Sequence, residues 1–485
     1  MVFFKKNLQI ILLCAILAIG VIVRLQNFYL PPIDAHPMRQ TDTECIAYNF
    51  ANTNSNILHP KACLIRPQIN KEGFFFLEFP LYQYGLGMLY KLLGPEIAVA
   101  RIYNLLLYLI AAVSLFYFIR RFIGSRFGLI STFLYSFAPG SIFFIGHAIH
   151  PDVFATTTVM TSLAIYIYST TNKKLTNWFV ISVLLFSISI ATRPFMLLAL
   201  PSFVYLLYLH KALSWQYLIL IFGSAFIYAL WRTYLLQYPK TYHEWEYWVL
   251  QGREQLKSFD ILVKGLIYKN VIGEILGKFN FLLASLGLLT SIKKGNKLII
   301  FALLWLAGVP LYWFIVPNGN IIHQYYANVY LIPFILLATI GLSFVIDLFN
   351  NNHIKATILS VAMLLVVYNG YRTSKYYFND LESSNYIQIA KQIQRYVPED
   401  KKLVYLATLN SIPFSLAHRQ GWVLGAPPVD VEHTTDAILN MRQYGAEYVV
   451  AGYNNVDLNK LELKVLEQNS KIIAKNKWVI IYKLK

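Results

Sequence analysis

The stretch HPMRQTDTECIAYNFAN, His36 to Asn52, follows the first long apolar run and carries Arg39, Asp42 and Glu44. A helix that starts near Pro37 would put Arg39, Asp42 and Thr43 on one face. Arg39 would then favour the ionised form of Asp42. An ionised carboxylate in a water-poor cleft at a membrane face is a candidate general base. The letters TDTE, Thr41 to Glu44, also have the form of a capping box, which would make Asp42 a helix-start acid. Asp34 and His36 are second choices for chemistry, or local turn and cap residues.

Other stretches offer chemistry of the same kind. In GHAIHPDVF, Asp152 follows His147 and His150. It is either a substrate-site acid or an acid at a helix start, and the histidine pair alone is a thin zinc motif. In LEFPLYQY, Glu78 stands beside Phe74, Phe75 and Phe76. An acid among rings at a bilayer surface needs a partner or access to water. In NGNIIHQYYANVYLIP, His323, Tyr325 and Tyr326 open an apolar run, as substrate contacts or as part of an interfacial aromatic belt. Arg101 and Arg193 sit at the ends of apolar runs, where a guanidinium binds phosphate or reaches out to headgroups.

These side chains must be positioned by membrane helices. The 485 residues are 57% hydrophobic and only 14% charged, where a soluble protein carries about a quarter. Apolar windows near 8–26, 98–119, 127–144, 153–170, 177–192, 194–210, 215–236, 276–292, 297–317, 325–348 and 355–371 predict about eleven transmembrane helices. The first window lacks a small-residue cleavage site and reads as a retained helix. Basic residues mark every second short loop: Lys5 and Lys6, Arg120, Arg121 and Arg126, Lys173 and Lys174, Lys211, Lys293, Lys294 and Lys297, and Lys355. The positive-inside rule then puts the N-terminus in the cytoplasm. All the candidate residues fall on the opposite face, and they were not used to find it.

The domain reading is a membrane domain over 1–377, with a first outer loop at about 27–97, and an extracytoplasmic α/β domain over 378–485. In that loop, FPLYQYGLGMLYKLLG (79–94) is too short to span and predicts an interfacial or re-entrant helix. In the tail, ESSNYIQIAKQIQRYVPED and TTDAILNMRQYG predict helices, the second ending at Gly445. KLVYLAT, GWVLGAP, AEYVVAGY and KWVIIYKL predict strands. Cys45 and Cys63 either pair or remain thiols. The net charge of +18 comes without a basic arm or an aromatic-basic platform. It therefore points away from nucleic acid and toward membrane lipids and phosphate-bearing substrates.

RQTDTECIAYNFA after a first span resembles the C-type membrane glycosyltransferases. The nearest in kind are the bacterial relatives of the protein O-mannosyltransferase and aminoarabinose transferase superfamily, glycosyltransferase family 39. EFPLYQYGLGMLYKLLG with AVARIYNLLLYLI, the HPD that opens a span, and HQYYANVYLIP carry the same resemblance over about residues 1–370. It implies a lipid-phosphate sugar donor, an acceptor hydroxyl on a glycan, glycolipid or protein, and inversion at the anomeric carbon. Asp42 matches the family's presumed base, and Thr43 replaces the acid that usually follows it. Glu78 matches an acid at a metal or donor site, although Phe79 stands where a basic residue is common. Asp152 matches an acid near the donor head, and His323 falls in a His-x-Tyr-Tyr pattern. The residue reading and the resemblance together make Arg39, Glu78, Arg101, Asp152, Arg193, His323 and Tyr325 substrate-binding candidates, and the resemblance implies a divalent metal ion as a candidate cofactor, with Glu78 and His323 as its candidate ligands. The alternatives are a lipid-linked sugar flippase and a non-catalytic assembly protein. A translocating pathway would place charges near mid-membrane, whereas these apolar runs are clean at their centres.

Overall fold

In the computed structural model the described residues are 2–65, 72–171, 175–238, 248–291, 296–379, 381, 385–406, 411–424, 431–452 and 469–485. The chain divides into two compact units. The first holds Met1–Phe28, Arg101–Gln237 and His243–Tyr377; the second holds Tyr29–Ala100, Tyr238–Tyr242 and Phe378–Lys485. The break at 377/378 falls where the composition changes. The first loop, which the sequence reading attached to the membrane domain, groups with the C-terminal residues.

The first unit is helical. Its main helices are α1 (Val2–Ile22), α4 (Ile97–Phe122), α5 (Ser125–Phe137), α6 (Asp152–Thr171), α7 (Leu175–Thr192), α8 (Leu200–Leu209) and α9 (Ser214–Leu235). They are followed by α10 (Lys278–Ser291), α11 (Lys297–Leu306), α12 (Val309–Ile315), α13 (Pro317–Ile322), α14 (Leu331–Asp347) and α15 (Asn352–Asn379). Every predicted apolar window holds helix. Among the described residues, however, six helices are long and apolar enough to cross a membrane. A seventh span results if Asp260–Leu276 and Lys278–Thr290, bent by 104° at Gly277, count as one. Asn7–Ile22, Asn177–Thr192 and Pro194–Leu209 are apolar but shorter. This is a multi-pass membrane protein, but the expected count of about eleven spans is not reached among the described residues: the three shorter helices bring the total to ten, and the longest helix in the window at 127–144 is the 13-residue α5. The basic loops at Lys173, Lys174, Lys293 and Lys294 lie outside the described residues.

Close helix contact is built from glycine. A Cβ on Gly341 of α14 would overlap the carbonyl oxygen of Leu283 on α10, and one on Gly287 of α10 would overlap that of Leu337 on α14. Small residues let membrane helices approach to backbone contact, where dispersion replaces the missing hydrophobic drive.

The second unit contains α2 (Pro37–Asn52), α3 (Leu81–Leu93), α16 (Asn385–Tyr396), α17 (Ile412–Leu416) and α18 (Val431–Arg442). Its strands are β1 (Lys402–Leu406), β2 (Gly421–Leu424), β3 (Ala446–Gly452), β4 (Ser470–Lys475) and β5 (Val479–Leu484). The sheet order is β2-β1-β3-β5-β4, with β1, β2 and β3 parallel and β5 antiparallel to both β3 and β4. The four expected strands are present and the turn at Gly445 has φ 95°. Strand β4 was not expected, because SKIIAK offers little more than two consecutive isoleucines between lysines. Helix α3 has 13 residues, too few to span, as predicted.

Chain from the first loop completes this sheet. Leu64 pairs in parallel with Gly421, Ile65 N donates to Gly421 O at 2.7 Å, and Gly421 N donates to Cys63 O at 2.9 Å. Cys45 and Cys63 form a disulfide with Cα atoms 6.0 Å apart. Both lie in one core with Ile389 and Ile393 of α16, Leu403 and Tyr405 of β1, and Phe414 of α17.

Candidate functional site

Helix α2 begins at Pro37, whose missing N–H costs nothing at that position. His36 at the N-cap adopts the left-handed conformation, φ 58° and ψ 48°. No helix starts at Thr41, so the capping-box reading of TDTE is corrected. Asp42 lies in the body of α2 and is buried, 4% exposed. Thr43 instead donates its hydroxyl to Arg39 O, one turn back, at 2.8 Å. Asp34 accepts from Gln40 Nε2 at 2.5 Å, the turn role expected of it.

Arg39 was expected to hold Asp42. Its Nη2 instead donates to Glu78 Oε1 at 2.5 Å, where Gln83 Nε2 also donates at 2.7 Å. Glu78 is thereby satisfied although buried, which answers the cost of placing an acid among Phe74, Phe75 and Phe76. Asp42, Arg39 and Glu78 all belong to the second unit, two of them one turn apart on α2.

The first unit gathers Asp152, Arg193, Tyr325 and His323. Asp152 opens α6 with no solvent exposure. Arg193 precedes the Pro194–Ala199 turn and donates to Asp152 Oδ2 from Nε at 2.8 Å and from Nη2 at 2.6 Å. His150 donates to the same oxygen through Nδ1. The Tyr325 ring lies 4.3 Å from that of His150 and stacks on His323 at 5.0 Å, and Trp248 flanks His323 at 5.7 Å. Arg193 is buried rather than reaching for headgroups. Arg101, 1% exposed, donates from Nη1 to the carbonyl of His147 at 2.5 Å.

Sequence reasoning missed several residues. Arg24, within the first apolar window, is 1% exposed, stands 3.6 Å over the ring of Tyr108 and donates to Gly20 O, Ser136 O and Ser141 Oγ. Its signal was a charge inside an apolar run. His150 was weighed as a zinc ligand and is the partner of Asp152 instead. His418 donates from Nε2 to Glu44 Oε2 at 2.9 Å, and Tyr48 donates to Glu399. Burial, then that bond to Glu399, pushes the Tyr48 phenol above its usual range. No local signal pairs residues so distant in sequence.

For a metal ion the fit is poor. Glu78 is engaged by Arg39 and Gln83, and among the described residues no group of three or more His, Cys, Asp or Glu could hold one.

The helical bundle with a small sheet domain, and an acidic helix following the first span, is the fold of the C-type membrane glycosyltransferases. Residues 78–238 match the family of dolichyl-phosphate-mannose-protein mannosyltransferases, a minor part of the chain. ArnT from Cupriavidus metallidurans, in a structure bound to undecaprenyl phosphate, is similar at 13% identity and TM-score 0.67, covering 97% of each chain. The oligosaccharyltransferase AglB from Archaeoglobus fulgidus, in complex with an inhibitory peptide and a dolichol-phosphate, is similar at 12% identity and TM-score 0.57. That match covers 93% of this chain and 70% of AglB. The arabinofuranosyltransferase AftD from Mycobacteria is similar at 14% identity and TM-score 0.60, over 97% of this chain and 41% of AftD. Identities this low speak for the fold alone. No curated protein matches the sequence.

Proposed function

We propose that this chain is an integral-membrane glycosyltransferase. It moves a sugar from a polyprenyl-phosphate donor to an acceptor hydroxyl on the extracytoplasmic face, with inversion. The observation that carries the proposal is Asp42: a buried carboxylate in the body of α2, in a fold shared with glycosyltransferases whose structures hold polyprenyl phosphates. Such a group is suited to take a proton from an attacking hydroxyl.

The disulfide supports the orientation. Cys45 lies three residues beyond Asp42, and disulfides persist in oxidising compartments, so a bonded Cys45 favours α2 outside the cytoplasm. This agrees with the positive-inside reading.

In the proposed reaction Asp42 accepts the acceptor's hydroxyl proton as the oxygen attacks the anomeric carbon in line. The bond to the phosphate oxygen breaks, and the polyprenyl phosphate leaves with the electron pair. The charge that develops on the leaving phosphate calls for a cation beside it. Arg101, turned inward onto the His147 carbonyl, shapes the turn before Asp152. Glu78 holds Arg39 at the next turn of α2.

The test uses purified protein in proteoliposomes, radiolabelled polyprenyl-phosphate hexoses and pentoses, and envelope extract as acceptor. Wild type transfers label from at least one donor, and the product's anomeric configuration is opposite to the donor's. Flipping of labelled lipid without transfer would replace the enzyme reading with a carrier.

A further inference from the structure

Helix α2 is joined to the α/β sheet domain through Glu44, Cys45 and Tyr48, of which Glu44 and Tyr48 lie on the side turned away from the proposed base. At about 100° per residue, Glu44 and Tyr48 lie on the side of α2 opposite Asp42, whereas Arg39 lies within about 60° of it. Glu44 Oε2 accepts from His418 Nε2 at 2.9 Å, and Glu44 is 3% exposed. The rings of His418 and Tyr48 stack at 3.8 Å and 12°. Tyr48 reaches on to Glu399. Cys45, about 60° from Asp42 around the helix, is covalently bonded to Cys63, whose carbonyl accepts from Gly421 of β2.

The far side of this contact is itself held. His418 has φ 54°, a left-handed conformation that is unfavourable for a residue with a side chain and persists only where its surroundings impose it. Arg419 does so in part, donating from Nε to Val397 O at 2.8 Å and from Nη1 to Ala417 O at 3.0 Å. The strained turn thus presents the imidazole to α2 from a fixed base.

We propose that Glu44, Tyr48 and His418 are positioning residues, through which the α/β domain fixes the helix carrying Asp42 without touching either substrate. This rests on the assignment of Asp42 as the base. Displacement of a reacting group by about 1 Å can cost on the order of 100-fold in rate, so the contact acts on turnover rather than on donor binding.

The experiment compares wild type, Glu44→Gln, His418→Ala, the double variant and His418→Gln, all as the full chain in detergent. Two readouts are taken: transfer kinetics with the polyprenyl-phosphate sugar that wild type uses fastest, and amide hydrogen exchange. Each single variant should lose about tenfold or more in kcat, with donor KM changed less than about twofold. The double variant should be no slower than the slower single. His418→Gln, which can still donate to Glu44, should recover most of the loss. Exchange should quicken over 37–52 while β1, β3 and β5 stay protected. Unchanged exchange over 37–52 with unchanged kcat would overturn the proposal. So would additive losses, or loss of protection across the whole sheet in every variant. Asp42→Asn is run in parallel. If it keeps transferring sugar the base assignment fails, whereas the exchange result still decides whether the contact holds α2.

Discussion

Replacing Arg193 with methionine removes the guanidinium from a carboxylate that has no solvent exposure. Asp152 accepts two charge-assisted hydrogen bonds from Arg193, at 2.8 and 2.6 Å. Bonds to a charged group contribute about 1.5–3 kcal/mol each, and breaking a buried pair from one side costs about 3–5 kcal/mol because the other charge is left behind. His150 remains beside Asp152 and offsets part of this. The expected loss for Arg193→Met is therefore about 3 kcal/mol, or roughly a 150-fold shift in the folding equilibrium. Asp152→Asn in the same background should recover about 2 kcal/mol, since an amide carries no stranded charge. The assay is denaturant-titrated unfolding in bicelles of wild type, both singles and the double, read as differences. A single variant within about 1 kcal/mol of wild type, or additive effects in the double, would refute the reasoning.

Further outcomes follow from the same geometry. Cys63→Ser should destabilise the second unit by about 3 kcal/mol, the loop-closure value for a bond across 18 residues. Full alkylation of Cys45 and Cys63 without prior reduction would contradict the bond. Gly341→Ala should cost roughly 1–3 kcal/mol by forcing α14 from α10, seen in the same unfolding assay, and wild-type stability would mean the backbones are not in contact. Glu78→Gln weakens the Arg39 pair and should lower turnover with little effect on expression; equal loss of folded protein would assign the pair to stability alone.

The sequence revealed what depends on neighbours and little of what depends on distance. Pro37 announced the start of α2, the apolar windows all hold helix, and Gly445 ends the turn after α18. Thr41 to Glu44 misled because a capping box is a local pattern, and here the buried body of α2 overrides it. Arg39 was assigned to Asp42 from helix spacing, yet its partner Glu78 lies 39 residues away. The Cys45–Cys63 bond, the pairing of Leu64 with Gly421 and the His418 contact share that cause. Each joins segments whose approach is set by packing of the sheet domain, so no spacing rule reports it. Asp152 and Arg193 were both singled out, but as separate substrate contacts, because their proximity depends on how α6 and the Arg193 turn meet.

The central claim is that Asp42 takes the acceptor's proton. Wild-type and Asp42→Asn proteins, reconstituted at equal amounts and with the Cys45–Cys63 bond verified intact, are given labelled polyprenyl-phosphate sugar and acceptor extract. The account predicts a loss of roughly 100-fold or more in transfer rate with donor binding retained. An Asp42→Asn protein that keeps more than about a tenth of wild-type turnover contradicts it.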